Sequence, residues 1–265
     1  MTGEAPAKIN LALVVGPLRA DRKHEVLTVM QRLDLADRIT VEPADTQIVE
    51  GFAEDTLVAS ALATLDASHA WRARIEKRSP IASGLGGGSS DAATALRLGN
   101  AQLERPLDDA RLHDLAAALG ADVPFFLRTG PQLGSGDGTT LSPLQLPLDY
   151  AVCVVLPHGE AKASTAEVYA AFDRRDGADG FAERAVAFRD ALSEITRAAD
   201  LARLPPNDLA SSPHVDALRA AGAFHAGVSG AGPALYGLFP DRGAAAAAAS
   251  ELASLGECVV TNPAW

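Results

Sequence analysis

The sequence predicts a mixed α and β fold, because segments with strand periodicity alternate with segments of helix periodicity along its 265 residues. Continuous apolar runs at 9–15 and 150–156 are typical of buried strands, whereas the alanine- and leucine-rich stretch 89–103 is typical of a helix. This length suffices for one large domain or two small ones. A break near 143–148 divides the chain into unequal halves.

Each further element follows from its local pattern. Residues 38–42 and 72–77 alternate between apolar and polar side chains and run into prolines, and strands are also predicted at 226–229, 234–239 and 257–261. Helical spacing of apolar residues predicts helices over 55–66, 108–119, 165–172, 182–198, 213–221 and 242–255. Gly120 follows the helix at 108–119 in the position of a C-cap glycine.

Composition and charge exclude several classes of protein. The net charge of −11 argues against nonspecific nucleic-acid binding, which depends on phosphate neutralisation by lysine and arginine. No apolar run approaches the roughly 20 residues of a membrane helix, and the first eight residues lack the apolar segment of a secretory signal. Cys153 and Cys258 are too far apart for a zinc motif or a disulfide framework. We therefore expect a soluble, cytoplasmic protein that binds neither nucleic acid nor membranes.

A glycine-rich loop at 80–90 carries the strongest chemical signal. Four glycines in five positions leave backbone N–H groups accessible and permit positive φ angles, and a helix is predicted to begin at once, with Ser89 or Ser90 as its N-cap. Such a loop at a helix N-terminus is a phosphate-binding device. It matches neither the Walker pattern nor the dinucleotide fingerprint. The alternative is a flexible turn that happens to be glycine-rich.

Four motifs together resemble one kinase family. The loop Pro80-Ile81-Ala82-Ser83-Gly84-Leu85-Gly86-Gly87-Gly88-Ser89-Ser90 resembles the phosphate loop of the galactokinase, homoserine kinase, mevalonate kinase and phosphomevalonate kinase (GHMP) group. The segments PAKINL at 6–11, GADVPFF at 120–126 and VSGAGP at 228–233 are similar to motifs of the 4-diphosphocytidyl-2-C-methyl-D-erythritol kinases within that group. The motifs occur in the family's order.

This resemblance implies an α+β, two-lobed GHMP kinase fold. It places an ATP-binding lobe, similar to domain 2 of ribosomal protein S5, at 1–146 and a ferredoxin-like lobe at 147–265. The turn 229–233 of the second lobe is then expected to approach the nucleotide phosphates. The resemblance also implies ATP and Mg²⁺ as cofactors.

The resemblance assigns catalysis to Lys8 and Asp122. An aspartate near the acceptor hydroxyl can orient it or accept its proton, and a lysine nearby can keep that aspartate ionised. Taken singly, Asp122 could be a capping residue and Lys8 a surface lysine. The resemblance also assigns nucleotide binding to Lys77, expected near the base, and makes Ser90 the candidate magnesium ligand. The loop residues it assigns to nucleotide binding are Pro80, Ser83, Gly84, Leu85, Gly86, Gly87, Gly88, Ser89 and Ser90.

The substrate side departs from the family pattern. Asn10, His24 and Tyr169 match family positions that contact the substrate, Tyr169 by covering one face of the cytosine ring. The family's Gly-Tyr pair before the histidine is replaced here by Arg22-Lys23, and a lysine cannot stack on a base. Alone, His24 could be an exposed loop histidine and Tyr169 a packing residue. Thr56 stands where the family has an asparagine, and Thr139 where it has a glutamate. Asn207 is sufficiently explained as the N-cap of a helix.

The function expected from the resemblance is transfer of the γ-phosphoryl group of ATP to the 2-hydroxyl of 4-diphosphocytidyl-2-C-methyl-D-erythritol, a step of non-mevalonate isoprenoid biosynthesis. Two alternatives stay open. One is a GHMP-type kinase for another small alcohol, since the Arg22-Lys23 loop is altered. The other is a non-catalytic nucleotide-binding paralogue, which would have no need of both Lys8 and Asp122.

Overall fold

Two long strands run through the first part of the chain. The computed structural model describes residues 1–52, 57–66, 69–160 and 164–265. Strand β1 spans Thr2–Leu18 and pairs with β2, His24–Ala44. Both are much longer than the predicted strands at 9–15 and 38–42. The apolar pattern marks only the parts of a strand whose side chains are buried, and the ends carry exposed polar residues.

The chain forms two compact units, and each is made of three separate segments of the sequence. One comprises 1–7, 35–81 and 86–129, and the other comprises 8–34, 82–85 and 130–265. Strands β1 and β2 each contribute residues to both, since each runs through a boundary between the units.

The first unit combines a short sheet with four helices. Its part of β2 pairs antiparallel with β4, Ala70–Glu76, and β3, Ile48–Glu50, adds to β4 in parallel. The helices are α1 Leu57–Leu65, α2 Gly87–Asn100, α3 Asp109–Leu119 and α4 Val123–Phe126. A Cβ on Gly99 would lie 2.7 Å from Leu65 Cδ2, so glycine at 99 permits the close packing of α1 against α2.

The second unit contains a separate four-stranded antiparallel sheet. Its order is β10 Gly256–Thr261, β7 Ala151–Pro157, β9 Leu235–Phe239 and β8 His225–Val228. Helices α7 Val215–Ala220 and α8 Arg242–Glu251 bury apolar side chains in a common core with this sheet. Elsewhere in the unit, β5 Gln132–Gly136 pairs with β2 and with β6 Thr140–Pro143, and β11 Pro263–Ala264 also pairs with β2.

The remaining elements are helical. Helices α5 and α6 span Thr165–Arg174 and Phe181–Ser193, and short 3₁₀ helices span Ala198–Arg203 and Leu252–Ser254. The predicted helices at 182–198 and 242–255 are therefore too long, because each ends early and a 3₁₀ turn follows. The start of the helix predicted at 55–66 includes positions outside the described residues.

The α+β class is confirmed by the two sheets and their helices. Strands β3, β5 and β6 and the four-residue helix α4 were not predicted, since elements this short carry too few residues for a periodic signal. In the described part of the chain, no helix is long and apolar enough to cross a bilayer.

A half-buried histidine, His225, couples the stability of the second unit to pH. The Nε2–H of His225 donates to Leu11 O at 3.1 Å, and Tyr236 Oη donates to the same carbonyl oxygen. Burial lowers the pKa of His225 from 6.5 to about 4, although the bond to the carbonyl opposes the change. The unfolded chain therefore binds a proton more readily than the folded chain. This contribution to stability is complete above pH 6.5 and is lost as the pH falls towards 4.

We expect the free energy of unfolding of the parent to fall by about 2–3 kcal/mol between pH 7 and 4.5 through His225 alone. Urea unfolding of His225→Gln should lack this component, so the difference between parent and variant should shrink at low pH. His158→Gln, at an exposed position, is the control. Identical pH dependence in parent and His225→Gln would contradict the assignment.

Candidate functional site

A buried lysine lies on β1 at the start of the second unit. Lys8 is 2% exposed, and its Nζ donates to Asn10 Oδ1 at 2.5 Å. The two side chains share a face because alternate residues of a strand point the same way. Asn10 Nδ2 in turn donates to Thr28 Oγ1 at 2.8 Å, and Thr28 Oγ1 donates to Ala12 O at 2.8 Å. Lys8 is thus no surface lysine, and hydrogen bonds fix the position of its amide partner.

A glycine turn at 229–233 lies against Lys8. A Cβ built on Gly230 would be 3.4 Å from Lys8 Nζ and 3.5 Å from Asn10 Oδ1. Ser229 Oγ donates to Gly84 O at 3.0 Å, which joins the turn to the glycine-rich loop. The second unit therefore brings together the turn, Lys8, Asn10 and the loop segment 82–85.

Gly84 is glycine for a steric reason. Its φ is +89°, in the left-handed region, and a Cβ there would lie 2.4 Å from Ser229 O. The neighbouring Leu85 O accepts the backbone N–H of Lys8 at 2.8 Å. This part of the loop is thus a packed and hydrogen-bonded segment, which contradicts a flexible glycine-rich turn.

The rest of the loop begins helix α2 in the first unit. Gly86 adopts φ 74° and is the N-cap, so the prediction of Ser89 or Ser90 as N-cap is wrong. The left-handed glycine lets the chain turn into the helix three to four residues earlier than a serine cap would. Ser90 lies in the first turn, its N–H donates to Gly86 O at 2.9 Å, and its buried Oγ has no hydrogen-bond partner among the described residues.

Lys77 belongs to a buried charge cluster in the first unit. Its Nζ lies 2.5 Å from Asp37 Oδ2 and 2.9 Å from Asp91 Oδ2, and both carboxylate side chains are fully buried. Asp37 also accepts the N–H groups of Arg78 and Ser79 and the Ser79 hydroxyl. The cluster holds the strand before the loop to the helix after it, because Lys77 precedes the loop and Asp91 lies in α2.

The hydrogen bonds of this cluster determine its protonation. Burial alone would raise the pKa of Asp37, but donation from Arg78 N–H, Lys77 and Ser79 outweighs burial and lowers it. Burial would likewise lower the pKa of Lys77, and its bonds to Asp37 and Asp91 raise it instead. Asp37 and Lys77 are therefore both charged near neutral pH.

Gly87 is glycine because of the same cluster. A Cβ at 87 would lie 3.0 Å from Ser79 Oγ and 3.2 Å from Lys77 Nζ. A larger residue there would therefore disturb the ion pairs directly. At Gly88 a Cβ would meet only Leu57 Cδ1, at 3.6 Å, which is an ordinary van der Waals contact.

Asp122 immediately precedes the short helix α4 of the first unit. It occupies the N-cap position, yet its side chain makes no capping hydrogen bond and its backbone is already helical, at φ −83° and ψ −16°. The side chain is partly exposed. The interpretation of Asp122 as a capping residue is therefore wrong, and its carboxylate is presented from the end of a rigid element.

His24 and Tyr169 form a stacked pair in the second unit. Their ring centroids are 4.9 Å apart with an interplanar angle of 22°, and Phe172 contacts His24 edge-on. His24 Nδ1–H donates to Gly16 O at 2.8 Å, and its Nε2 is 3.4 Å from Asp173 Oδ1. His24 is thus a buried, oriented ring and not an exposed loop histidine.

Comparisons with known proteins agree with these motifs. The models of the GHMP kinases N terminal domain and of the GHMP kinases C terminal match residues 53–130 and 182–258. A 4-diphosphocytidyl-2-C-methyl-D-erythritol kinase of Anaeromyxobacter dehalogenans (strain 2CP-C) is 39% identical, over 92% of this chain and 82% of its own length. The kinase of the same name from Gloeobacter violaceus is 37% identical, over 94% and 89%. The chain belongs to the 4-diphosphocytidyl-2-C-methyl-D-erythritol kinase family.

Solved structures support the same assignment. A crystal structure of a 4-(cytidine 5'-diphospho)-2C-methyl-D-erythritol kinase matches with a TM-score of 0.78 and 31% identity over the full length of both chains. The Methanococcus jannaschii mevalonate kinase, with a TM-score of 0.75 and 14% identity over 100% of this chain and 98% of its own, shares the fold. The expected GHMP kinase fold is confirmed, and the protein is an ATP-dependent kinase.

Two departures from the family pattern meet at one carboxylate. Lys23 Nζ lies 2.6 Å from Asp137 Oδ2, and Thr139 Oγ1 donates to Asp137 Oδ1 at 2.6 Å. Burial would raise the pKa of Asp137, but these bonds lower it to about 2. The ammonium that replaces the family's aromatic ring is therefore paired with Asp137, which itself stands next to the second departure. Thr56, the third departure, lies outside the described residues.

Sequence analysis missed Asp37 and Asp137. Asp37 lies outside every motif, and Asp137 lies within the glycine-rich segment 134–139, where comparison with the family pattern singles out only Thr139. Each pairs with a residue distant in sequence, 40 residues away for Asp37 and 114 for Asp137. A signal for Asp37 was nonetheless present, because an aspartate within an otherwise apolar strand pattern has to be neutralised by a partner when buried.

Proposed function

We propose that this kinase transfers the γ-phosphoryl group of ATP to the 2-hydroxyl of 4-diphosphocytidyl-2-C-methyl-D-erythritol, in cytoplasmic non-mevalonate isoprenoid biosynthesis. The carrying observation is Lys8, a buried ammonium beside a glycine turn that itself contacts the glycine-rich loop. A fixed ammonium beside glycine backbone, where no side chain blocks the approach of a ligand, favours an anionic ligand. The names of the relatives supply the acceptor.

The reacting residues are Lys8 and Asp122. The acceptor oxygen attacks the γ-phosphorus, its proton passes to the Asp122 carboxylate, and the bond to the bridging oxygen breaks to release ADP. Lys8 supplies fixed positive charge for the oxygens of the transferred group. The partial exposure of the Asp122 side chain supports this role, because the carboxylate has to meet an acceptor from solution.

The glycine-rich loop binds the nucleotide in this proposal. The residues assigned are Lys77, Pro80, Ser83, Gly84, Leu85, Gly86, Gly87, Gly88, Ser89 and Ser90. The lobe boundary at 146/147 is part of the same proposal.

Ser90 is the proposed magnesium ligand. Magnesium prefers oxygen ligands and is usually bound by a few protein oxygens together with the substrate phosphates. When bound, it would neutralise phosphate charge. The buried Ser90 hydroxyl, which lacks a hydrogen-bond partner among the described residues, fits that chemistry.

Asn10, His24 and Tyr169 are proposed to bind the acceptor. The hydrogen bond to Gly16 and the stack on Tyr169 hold the His24 ring in one orientation, as base recognition requires. Asn10 is held by Lys8 and Thr28, so its position next to the glycine turn is fixed.

ADP release measured against a panel of acceptor alcohols tests the proposal. We expect turnover with 4-diphosphocytidyl-2-C-methyl-D-erythritol to exceed that with mevalonate, homoserine and the same erythritol lacking the cytidine by at least a hundredfold. Turnover with a cytidine-free alcohol would instead favour a kinase for another small alcohol. ATP binding without turnover on any acceptor would favour the non-catalytic alternative.

Tyr169→Ala should weaken acceptor binding. Removing an aromatic ring that stacks on a base costs about 1–3 kcal/mol, or roughly tenfold to a hundredfold in affinity. We therefore expect the KM for the acceptor to rise by that factor while the KM for ATP is unchanged. Tyr169→Phe keeps the ring and is the matched control. An unchanged acceptor KM in Tyr169→Ala would remove the ring from base recognition.

Lys23→Tyr should improve acceptor binding fully only when Asp137 is changed as well. The single variant leaves the Asp137 carboxylate without its ammonium partner, since Lys23 Nζ lies 2.6 Å away. We expect Lys23→Tyr/Asp137→Asn to lower the acceptor KM by more than the product of the fold-changes of the two single variants, measured with the same substrate. Additive effects of the two changes would show that the ion pair does not control this loop.

A further inference from the structure

The side-chain amide of Asn207 is fully hydrogen-bonded, and its nitrogen bonds to the backbone at the glycine turn. Its Nδ2 donates to Val228 O at 2.9 Å and to Gly230 O at 2.6 Å, and its Oδ1 accepts the backbone N–H of Leu209 at 2.9 Å. The interpretation of Asn207 as a helix N-cap is wrong, because α7 begins only at Val215.

The backbone on either side of this asparagine is tied to strand β1. Asn207 forms a parallel β-bridge with Leu13, and the N–H of Asp208 donates to Leu13 O at 2.8 Å. Asp208 Oδ2 accepts the N–H of Val15 at 2.9 Å. The backbone of Asn207 is therefore fixed against β1, the strand that also contains Lys8.

Peptide planarity converts these bonds into a direction for the turn. In a trans peptide the C=O and the following N–H point in opposite directions. Because Gly230 C=O points at the Asn207 amide, the N–H of Ala231 points away from it. No acceptor for the N–H of Gly230 or Ala231 is found among the described residues. Gly230 has φ +56°, the left-handed conformation that the turn requires.

The other carbonyl bound by Asn207 behaves in the same way. Val228 C=O points at the amide, and the next N–H, that of Ser229, donates to Ala234 O at 2.9 Å. The Asn207 side chain therefore fixes the orientation of two peptide groups, Val228–Ser229 and Gly230–Ala231.

We propose that Asn207 is a positioning residue that aims the Ala231 N–H at an anionic oxygen of the nucleotide phosphates, beside Lys8. The proposal rests on the proposed function for the identity of the ligand. Lys8 Nζ, 3.4 Å from the Cβ position of Gly230, supplies the positive charge, and the Ala231 N–H supplies a directed donor.

The test compares three variants in binding and in turnover. Asn207→Asp is isosteric but sets a carboxylate against two carbonyl oxygens, and Asn207→Ala removes both donors without adding charge. Asn100→Asp is the matched control, because among the described residues the side chain of this buried asparagine bonds only to the backbone of Leu107. Melting temperature, ATP-analogue affinity by calorimetry and the KM for ATP are measured between pH 5 and 8.

We expect Asn207→Asp and Asn207→Ala to weaken binding of the ATP analogue at least tenfold at pH 7.5. The loss in Asn207→Asp should diminish towards pH 5, since a protonated carboxyl regains one donor, and that in Asn207→Ala should not. Asn100→Asp should change the melting temperature only. If Asn207→Asp does not fold, Asn207→Ala decides the result.

A purely structural role gives a different pattern. Variants of lowered melting temperature whose folded fraction binds the analogue as tightly as the parent at every pH would overturn the proposal. Calorimetry needs no acceptor, so a parent that binds the analogue but phosphorylates no tested alcohol would count against the proposed function alone. A parent that binds no ATP analogue would overturn both.

Discussion

Asp122→Asn is expected to lower kcat by about 10²–10⁴-fold, the usual contribution of a general base. Asparagine is isosteric but cannot accept the proton of the acceptor hydroxyl. The melting temperature and the affinity for an ATP analogue should stay near those of the parent, because asparagine has the same shape as aspartate and the side chain is partly exposed. Steady-state rates and calorimetric titration measure the two effects separately.

The control for this variant is Asp114→Asn, an exposed aspartate on α3 of the same unit. It should leave kcat, melting temperature and nucleotide affinity unchanged. Near-native turnover of Asp122→Asn would exclude the carboxylate from proton transfer. A parallel loss of kcat and melting temperature would make Asp122 a structural residue.

Asp37→Ala is expected to lower the free energy of unfolding by about 3–5 kcal/mol, the cost of breaking a buried ion pair, although Lys77 keeps its bond to Asp91. The variant loses the ion pair with Lys77 and the acceptor for Arg78 N–H and for Ser79. Urea unfolding at pH 7 measures the change. Glu42→Ala is the control, since its ion pair with Arg72 is half-exposed and contributes at most about 1 kcal/mol.

The effect of Asp37→Ala should depend on pH in a defined direction. The pKa of Asp37 is lowered in the folded state from the ordinary value of 3.8. Its contribution to stability is therefore complete above that value and is lost as the pH falls below it towards the folded pKa. The difference between parent and variant should then shrink in acid. A constant difference from pH 7 to pH 3 would show that packing, and not charge, carries the effect.

Much of the fold could be predicted from local patterns. The strand at 150–156 and the helix at 108–119 are recognisable because runs of apolar residues and a terminal glycine reflect interactions within the segment itself. Short strands such as β5 and β6 could not be predicted, because their stability comes from pairing with distant strands.

The candidate site could be predicted only where a motif carries it. Lys8, Asp122 and the glycine-rich loop stand in recognisable segments, and the structure places Lys8 beside the turn at 229–233. What Lys23 does could not be predicted, since the sequence indicates only that a lysine replaces an aromatic residue. Its ion pair with Asp137 depends on folding that brings together positions 114 residues apart.

The sequence by itself determined the fold class, the family and the residue types available for phosphoryl transfer, because these follow from periodicity and from contiguous motifs. Only the tertiary structure decided which buried polar groups neutralise one another. Asp37 lies on β2, Lys77 follows β4 and Asp91 lies on α2, and Asn207 reaches the turn from another segment of the second unit. A buried charge or amide must find a partner wherever the chain passes, and no local pattern specifies that neighbour.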